Sequence, residues 1–141
     1  MLQKLNSKRG GFTLVEIMIV VAIIALLASI AVPNFLRARK RSQATQVLED
    51  LRLIDAAIDQ YAIERNKAGG TALVWDDVML YLKKDTRLYA STGLDILGNA
   101  HNNGDDFLVD TVPVVNGDTF TALSDVAPDD FWKPFKAAAA P

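Results

Sequence analysis

The sequence contains no cysteine and only one histidine in 141 residues. Without cysteine, the chain has no disulfide bond, zinc–thiolate site or thiol nucleophile. The histidine, His101, lies in the polar stretch AHNNGDD and is predicted to be a surface loop residue. A serine–histidine–aspartate hydrolase site with Ser91 or Ser124 is formally possible, but nothing in the sequence orients such a set. The chain is therefore not expected to be an enzyme.

Basic side chains are scarce in the second half of the chain. Residues 71–141 carry eleven aspartates against five lysines and arginines, a balance of −6. Nucleic-acid binding depends on cations that neutralise phosphates, so this acidic region indicates no nucleic-acid partner. Residues 1–11 show the opposite pattern, with Lys4, Lys8 and Arg9 and no acid. This short basic start is typical of a targeting leader.

A long apolar run extends from Phe12 to Val32, and its only polar residues are Thr13, Glu16 and Ser29. As a helix rising about 1.5 Å per residue, these 21 residues span roughly 30 Å, the thickness of the hydrocarbon core of a bilayer. A helix buried in a soluble core is the alternative, but so small a protein has no core large enough to surround it. The run is therefore predicted to cross a membrane.

Pro33 closes the apolar run and is predicted to bend the helix, because proline removes one backbone hydrogen bond. Beyond it, apolar residues recur at three- and four-residue spacing on one side of the predicted helix. These residues are Ala44, Val47, Leu48, Leu51, Ile54, Ile58, Tyr61 and Ala62. With Gly69-Gly70 as a stop signal, the pattern predicts one long helix from about Phe12 to about Asn66.

The remaining residues predict a small mixed domain. Thr71 to Lys84 has the spacing of a short helix. Two β-rich runs between Phe107 and Leu123 are separated by Asn116-Gly117, which predicts an antiparallel hairpin. The aromatic residues of the tail segment DDFWKPF are predicted to pack back onto this domain.

A basic pair, then Gly11, then the sequence FTLVE at residues 12–16 form a pattern with fixed spacing. Glu16 is fifth and Pro33 is twenty-second counting from Phe12. In this pattern the chain resembles the type IV prepilins and the pseudopilins of type II secretion. The likeness covers residues 8–36 and combines a cleavage site, a charge and a membrane span.

The resemblance implies an α+β fold of the type IV pilin kind. A long N-terminal helix, its first half transmembrane and bent near Pro33, is expected to pack on a small antiparallel β head. The expected parts are a cytoplasmic leader (residues 1–11), a transmembrane or filament-core helix (residues 12–33), an amphipathic continuation of that helix (residues 34–68) and a globular α+β head (residues 69–141).

The resemblance also implies a life history. A prepilin peptidase is expected to cut between Gly11 and Phe12 and to methylate the new amino group of Phe12. The subunit then leaves the bacterial inner membrane, where its head lies outside the cytoplasm, and joins an envelope-spanning or cell-surface filament. Its expected partners are the peptidase, other pilin or pseudopilin subunits, an inner-membrane assembly platform and membrane lipid before assembly. Whether the filament is a pilus or a secretion pseudopilus is left open.

Glu16 is expected to act in assembly. A carboxylate at bilayer depth is unfavourable and requires a compensating partner, which cleavage supplies as the amino group of Phe12. The pair can form within one chain, or between Phe12 of an incoming subunit and Glu16 of a neighbour, where it would fix axial register. A carboxylate hydrated near the membrane surface is the alternative interpretation.

Two features leave alternatives open. No cofactor is expected, but the resemblance to major pseudopilins raises the question of calcium. Asp95, Asp105, Asp106 and Asp110 offer oxygen ligands for it, without the spacing of a recognised loop.

A membrane-anchored binding module or a minor pseudopilin, using the prepilin route for insertion, is the alternative to a filament building block.

Four basic residues, Arg37, Arg39, Lys40 and Arg41, follow the apolar run. They oppose the positive-inside tendency for a chain whose head lies outside the cytoplasm. Contact with anionic headgroups before extraction is one interpretation, and a solvated helix face is the other.

Overall fold

The computed structural model describes residues 10–136, so the predictions for residues 1–9 of the leader lie outside the described residues. The chain divides into two units between Leu36 and Arg37. A helix of 52 residues, α1 (Leu14–Arg65), begins in the first unit and ends in the second. Its bounds confirm the single long helix predicted from the sequence.

α1 is closed at its C-terminus by Asn66, whose φ of 47° lies in the left-handed region. The Lys67 amide donates to the carbonyl of Ala62 at 3.0 Å, and the Asn66 amide donates to that of Ile63 at 3.4 Å. These two bonds form a Schellman motif, which satisfies carbonyls that the helix leaves without a partner. The helix therefore stops before Gly69-Gly70, where the sequence pattern placed its stop signal.

In the second unit, one face of α1 is buried at three- and four-residue spacing, as the amphipathic pattern predicts. The buried residues are Ala44, Val47, Leu48, Asp50, Leu51, Ile54, Ala57, Ile58 and Tyr61. Their apolar members belong to two hydrophobic clusters that divide along the helix between Leu51 and Ile54. Asp50 is a charged residue on this buried face, and it requires polar partners.

The rest of the second unit consists of short elements. They are β1 (Ala72–Leu73), α2 (Trp75–Met79), α3 (Arg87–Ala90), a 3-10 turn (His101–Gly104), β2 (Phe107–Leu108), α4 (Gly117–Leu123) and a second 3-10 turn (Asp129–Trp132). β1 and β2 form a two-stranded antiparallel sheet, with Ala72 opposite Leu108 and Leu73 opposite Phe107. A long N-terminal helix with a small antiparallel sheet confirms the predicted α+β fold.

The predicted hairpin at Asn116-Gly117 is wrong. The second run forms the helix α4, and Asn116 is its N-cap, with a side-chain oxygen that accepts from the Asp118 amide at 2.9 Å. The first run is a strand only in β2, because Asp110 has a φ of 60° and Pro113 has no amide to donate. The dipeptide Asn-Gly is compatible both with a hairpin turn and with the start of a helix, and in this chain Asn116 caps a helix.

The tail packs back onto the second unit, as predicted. Trp132 is fully buried and Phe135 is 3% exposed, and both belong to the cluster around Leu51. The indole Nε1 of Trp132 donates to the carbonyl of Ala127 at 3.1 Å. The Val115 amide donates to the Phe135 carbonyl at 2.7 Å, which fixes the tail to the loop before α4.

Candidate processing and assembly segment

The junction between Gly11 and Phe12 lies just before α1 and is exposed on both sides. Phe12 is 84% exposed. A Cβ added to Gly11 would meet no atom of the described residues, 10–136, within 4 Å. The junction is therefore exposed, and the described part of the fold does not require glycine at position 11.

Thr13 and Glu16 form a capping box at the first turn of α1. The carboxylate Oε2 of Glu16 accepts from the Thr13 amide and from the Thr13 hydroxyl, both at 2.8 Å. In return, the Glu16 amide donates to the Thr13 hydroxyl oxygen at 3.2 Å. This exchange satisfies amides that the start of a helix leaves without a partner.

The capping box uses only one of the two carboxylate oxygens of Glu16. Both bonds from Thr13 use Oε2, and within residues 10–136 no hydrogen bond reaches Oε1. An ionised carboxylate accepts about four hydrogen bonds. Glu16 can therefore hold the helix start and still accept a cationic partner at its second oxygen.

The apolar run of α1 is exposed along its whole length in the isolated chain. Its large apolar side chains from Leu14 to Leu36 are each at least half exposed. The lowest exposed fraction among them is 50%, at Val20 and Leu36. By length and composition this part of α1 is able to cross a membrane, and none of it is buried among the described residues. So large an exposed apolar surface is typical of a membrane or protein interaction surface.

Pro33 lies inside α1, and the helix continues on both sides of it. Because proline has no amide hydrogen, the carbonyl of Ser29 loses the helical bond it would otherwise receive. The Ser29 hydroxyl donates to the carbonyl of Leu26 at 2.6 Å. The bend at Pro33 stays a prediction.

A buried polar cluster in the second unit links α1 to the loops of the head. Arg87 donates to the carboxylate of Asp50, which is 6% exposed. His101 Nε2 lies 4.0 Å from the same Asp50 oxygen and has no hydrogen-bond partner among the described side chains and backbone. Burial raises the pKa of the Asp50 carboxyl, and the nearby Arg87 charge opposes this effect.

The prediction that His101 is a surface residue is wrong, since its side chain is 4% exposed. Asn102 and Asn103 have φ values of 54° and 56°, so the chain reverses direction immediately after it. The His101 amide donates to the Gly93 carbonyl at 2.9 Å, and the Trp75 ring lies nearly parallel to the imidazole at 6.5 Å between centroids. The polar neighbours in the sequence form the turn, and the histidine lies beneath it.

This burial predicts acid sensitivity of the head. Desolvation lowers the pKa of His101 to about 4, with Asp95 opposing and Arg87 reinforcing the shift. Between about pH 6.5 and 4, the unfolded chain therefore binds a proton that the folded chain does not, and stability falls as the pH falls. From pH 7 to pH 5 we expect His101 to reduce the free energy of unfolding by about 2 kcal/mol. The raised pKa of Asp50 acts in the opposite direction, because its folded carboxyl takes up a proton first.

A comparison of two proteins separates the effect of His101 from that of the carboxylates. Urea unfolding of residues 37–141 at pH 7 and pH 5 should show a smaller loss of stability for His101→Gln than for the unaltered fragment. The fragment retains both hydrophobic clusters. Equal losses for the two proteins would contradict the assignment to His101.

The acids considered for calcium are not gathered into one group in the described residues, and calcium binding stays untested. Asp95 Oδ1 accepts from the amides of Leu97 and Asn99 at 2.8 and 3.0 Å, and its Oδ2 accepts from the Thr119 hydroxyl. In the part of the chain that the structure describes, no three histidine, cysteine, aspartate or glutamate side chains converge as a metal-binding group. Asp95 instead fixes its own loop to α4.

Comparison with known proteins matches the N-terminal segment. The family model described as "Prokaryotic N-terminal methylation motif" matches residues 6–32. The chain is 39% identical over 64 residues to "Type IV major pilin protein PilA" of Myxococcus xanthus, covering 45% of this chain and 29% of that protein. It is 38% identical over 71 residues to "Type IV major fimbrial protein FimA" of Dichelobacter nodosus, covering 50% and 46%.

The chain is also similar to a protein of type II secretion. It is 35% identical over 61 residues to "Type II secretion system core protein G" of Klebsiella pneumoniae, covering 43% of this chain and 44% of that protein. The matches thus span less than half the length of each of these relatives. No solved structure matches significantly. The N-terminal segment of the chain, residues 6–32, therefore matches the prokaryotic N-terminal methylation motif, and the chain is similar there to type IV pilins and to a core protein of type II secretion.

Proposed function

We propose that the chain is a structural subunit of a type IV pilus or a type II secretion pseudopilus. A prepilin peptidase cuts it after Gly11 and methylates Phe12, and the subunit polymerises through α1. The observation that carries the proposal is the order of features within one short segment. An exposed Gly11–Phe12 junction, the carboxylate of a capping box and an apolar helix whose large side chains are at least half exposed follow one another, and this segment matches the N-terminal methylation motif.

Cleavage changes the charge at the start of α1. It creates an amino group at Phe12, four residues before Glu16 and just before the first turn of α1. Methylation keeps this amine basic, so its positive charge remains available to the carboxylate. The free Oε1 of Glu16 can accept it while Oε2 keeps its bonds to Thr13.

Assembly then exchanges lipid for protein around α1. Lipid tails are as apolar as the side chains they cover, so helix association in this environment gains little from the hydrophobic effect. Close packing gives attraction along the helices but tolerates sliding. A charge pair between Phe12 of one subunit and Glu16 of another distinguishes one axial position from the rest.

The proposed role needs no catalysis. Ser91 and Ser124 donate their hydroxyls to the carbonyls of Leu88 and Thr121, both at 2.9 Å. His101 is buried near Asp50 and bonds to neither serine within the described residues. These contacts support a structural role for all three side chains.

The location and partners follow from the proposed assembly. Before assembly, residues 12–33 cross the bacterial inner membrane with the head outside the cytoplasm, and lipid covers the exposed run. An inner-membrane platform then extracts the subunit into an envelope-spanning or cell-surface filament. The other partners are the peptidase and further copies of the subunit.

Shearing of surface material tests the proposal against its alternative. Cells producing the chain with its peptidase and assembly platform should release filaments, visible by electron microscopy, in which mass spectrometry finds the chain as a main component. A chain that stays in the membrane fraction while filaments form without it would be a membrane-anchored binding module. A trace amount relative to another subunit would indicate a minor pseudopilin.

A further inference from the structure

Four basic residues in five positions form a collar on α1 just past its apolar run. We call Arg37, Arg39, Lys40 and Arg41 the basic collar. The three arginines are exposed, whereas Lys40 lies 3.0 Å from Asp125 of the head. The sequence from residue 17 to residue 48 contains no acid, so this part of α1 offers the arginines no neutralising partner.

The collar surrounds the helix. With 3.6 residues per turn, Arg37 and Arg41 lie on nearly the same side, and Arg39 lies on the opposite side. Cations on opposite sides of a helix can contact a layer of ligands that surrounds the helix, such as the headgroups of one leaflet. A single binding pocket would contact only one side. The collar also differs from an amphipathic stripe, which would put the basic residues on one face.

The place of the collar in the sequence brings it to the edge of a membrane. Arg37 and Arg41 are five and nine residues after Val32, the last residue of the apolar run, or about 7.5 and 13.5 Å of helix. Helical side chains in general tilt toward the N-terminus, and a long arginine side chain can reach several ångströms in that direction. The polar headgroup region beyond the hydrocarbon core is several ångströms thick on each side.

We propose that Arg37, Arg39 and Arg41 bind the headgroup phosphates of anionic phospholipids in the leaflet on the head side before assembly. The proposal rests on the proposed function, in which residues 12–33 span the membrane with the head outside. Arginine suits this ligand because its planar guanidinium donates two parallel hydrogen bonds to a phosphate. Such contacts offset the unfavourable placement of cations outside the cytoplasm and hold the subunit at a fixed depth until it is extracted.

Native mass spectrometry of the full-length chain in detergent measures this preference. The probe is an equimolar addition of anionic phosphatidylglycerol and zwitterionic phosphatidylethanolamine. A basic residue near an anionic surface strengthens binding about fivefold, so we expect retained adducts to favour phosphatidylglycerol by at least tenfold. The triple variant Arg37→Gln, Arg39→Gln, Arg41→Gln should bring this ratio close to one.

Arg52→Gln is the matched control. Arg52 is also exposed on α1, but it comes eleven residues after Arg41 and pairs with Glu49 at 2.5 Å. This variant should keep the lipid preference, and circular dichroism should show unchanged helix content in both variants.

Two results would overturn the proposal: no preference in the unaltered chain, or a triple variant that keeps the full preference. If the triple variant keeps its lipid preference but yields fewer sheared filaments, the collar acts on a neighbouring subunit and the lipid proposal is wrong. A chain that never forms filaments but shows the lipid preference would contradict the proposed function alone.

Discussion

Glu16→Ala is expected to lower the yield of sheared filament at least tenfold, while cleavage after Gly11 and insertion into the membrane remain normal. The reason is the charge. A carboxylate within the bilayer costs about 2 kcal/mol or more, and the amino group of Phe12 offsets this cost when the two are paired. Without Glu16 the helices still pack, but no polar contact selects their axial position.

The capping box offers a second explanation of the same loss, because Glu16→Ala also removes the two bonds that the carboxylate accepts from Thr13. The bond from the residue 16 amide to the Thr13 hydroxyl remains, so only half of the capping box is lost. Glu16→Gln separates the two effects, since its amide oxygen can still accept from Thr13 but carries no charge. We expect Glu16→Gln to assemble as poorly as Glu16→Ala. Glu16→Asp, which keeps the charge with a shorter reach, should be intermediate.

The measurement is the ratio of sheared filament to membrane-bound subunit, by quantitative immunoblot, for the four proteins. Mass spectrometry of the membrane fraction serves as the control for cleavage. Filament yield for Glu16→Gln equal to that of the unaltered chain would assign the role of Glu16 to the cap. An unaltered yield for Glu16→Ala would remove Glu16 from assembly altogether.

Gly11→Val is expected to leave the precursor uncut and to reduce filament to the limit of detection. The proposed peptidase acts at the membrane surface, where a branched side chain next to the scissile bond obstructs its access. The described part of the fold tolerates the change, because a Cβ at Gly11 meets none of its atoms within 4 Å. The uncut precursor should therefore still enter the membrane through residues 12–33.

Gly10→Val is the matched control for this experiment. Gly10 is also exposed, and an added Cβ there meets no atom of residues 10–136 within 4 Å. It lies one residue further from the scissile bond, so we expect a smaller loss of cleavage. Separation of precursor and mature chain by gel mobility gives the fraction cut. Full cleavage of Gly11→Val would contradict the requirement for glycine at this site.

The N-terminal half of the fold could be predicted because its determinants are local. Length and apolarity specify a spanning helix, and the spacing from Ala44 to Tyr61 specifies its buried face. The capping box was also readable, since a threonine and a glutamate three residues apart precede an apolar run. The family pattern gives a role to Glu16 and none to Thr13.

The head could be predicted only in part, because its contacts are between distant residues. Asn116 is ambiguous in the sequence, and as the cap of α4 its side chain is held by a distant residue, because its Nδ2 donates to the Ala100 carbonyl at 2.9 Å. His101 is buried by the turn that follows it, and Asp50 by its pairing with Arg87, 37 residues away. No periodicity in the sequence indicates such pairings.

Mass spectrometry of the N-terminus of the mature chain tests the central proposal most directly. Cleavage after Gly11 and methylation predict that the chain isolated from membranes or filaments begins at Phe12 and carries one methyl group on its amino nitrogen. The same preparation from cells without the peptidase should begin upstream of Gly11 and lack the methyl group. A mature chain that retains residues 1–11, or one cut beyond Val32, would contradict processing by the prepilin route.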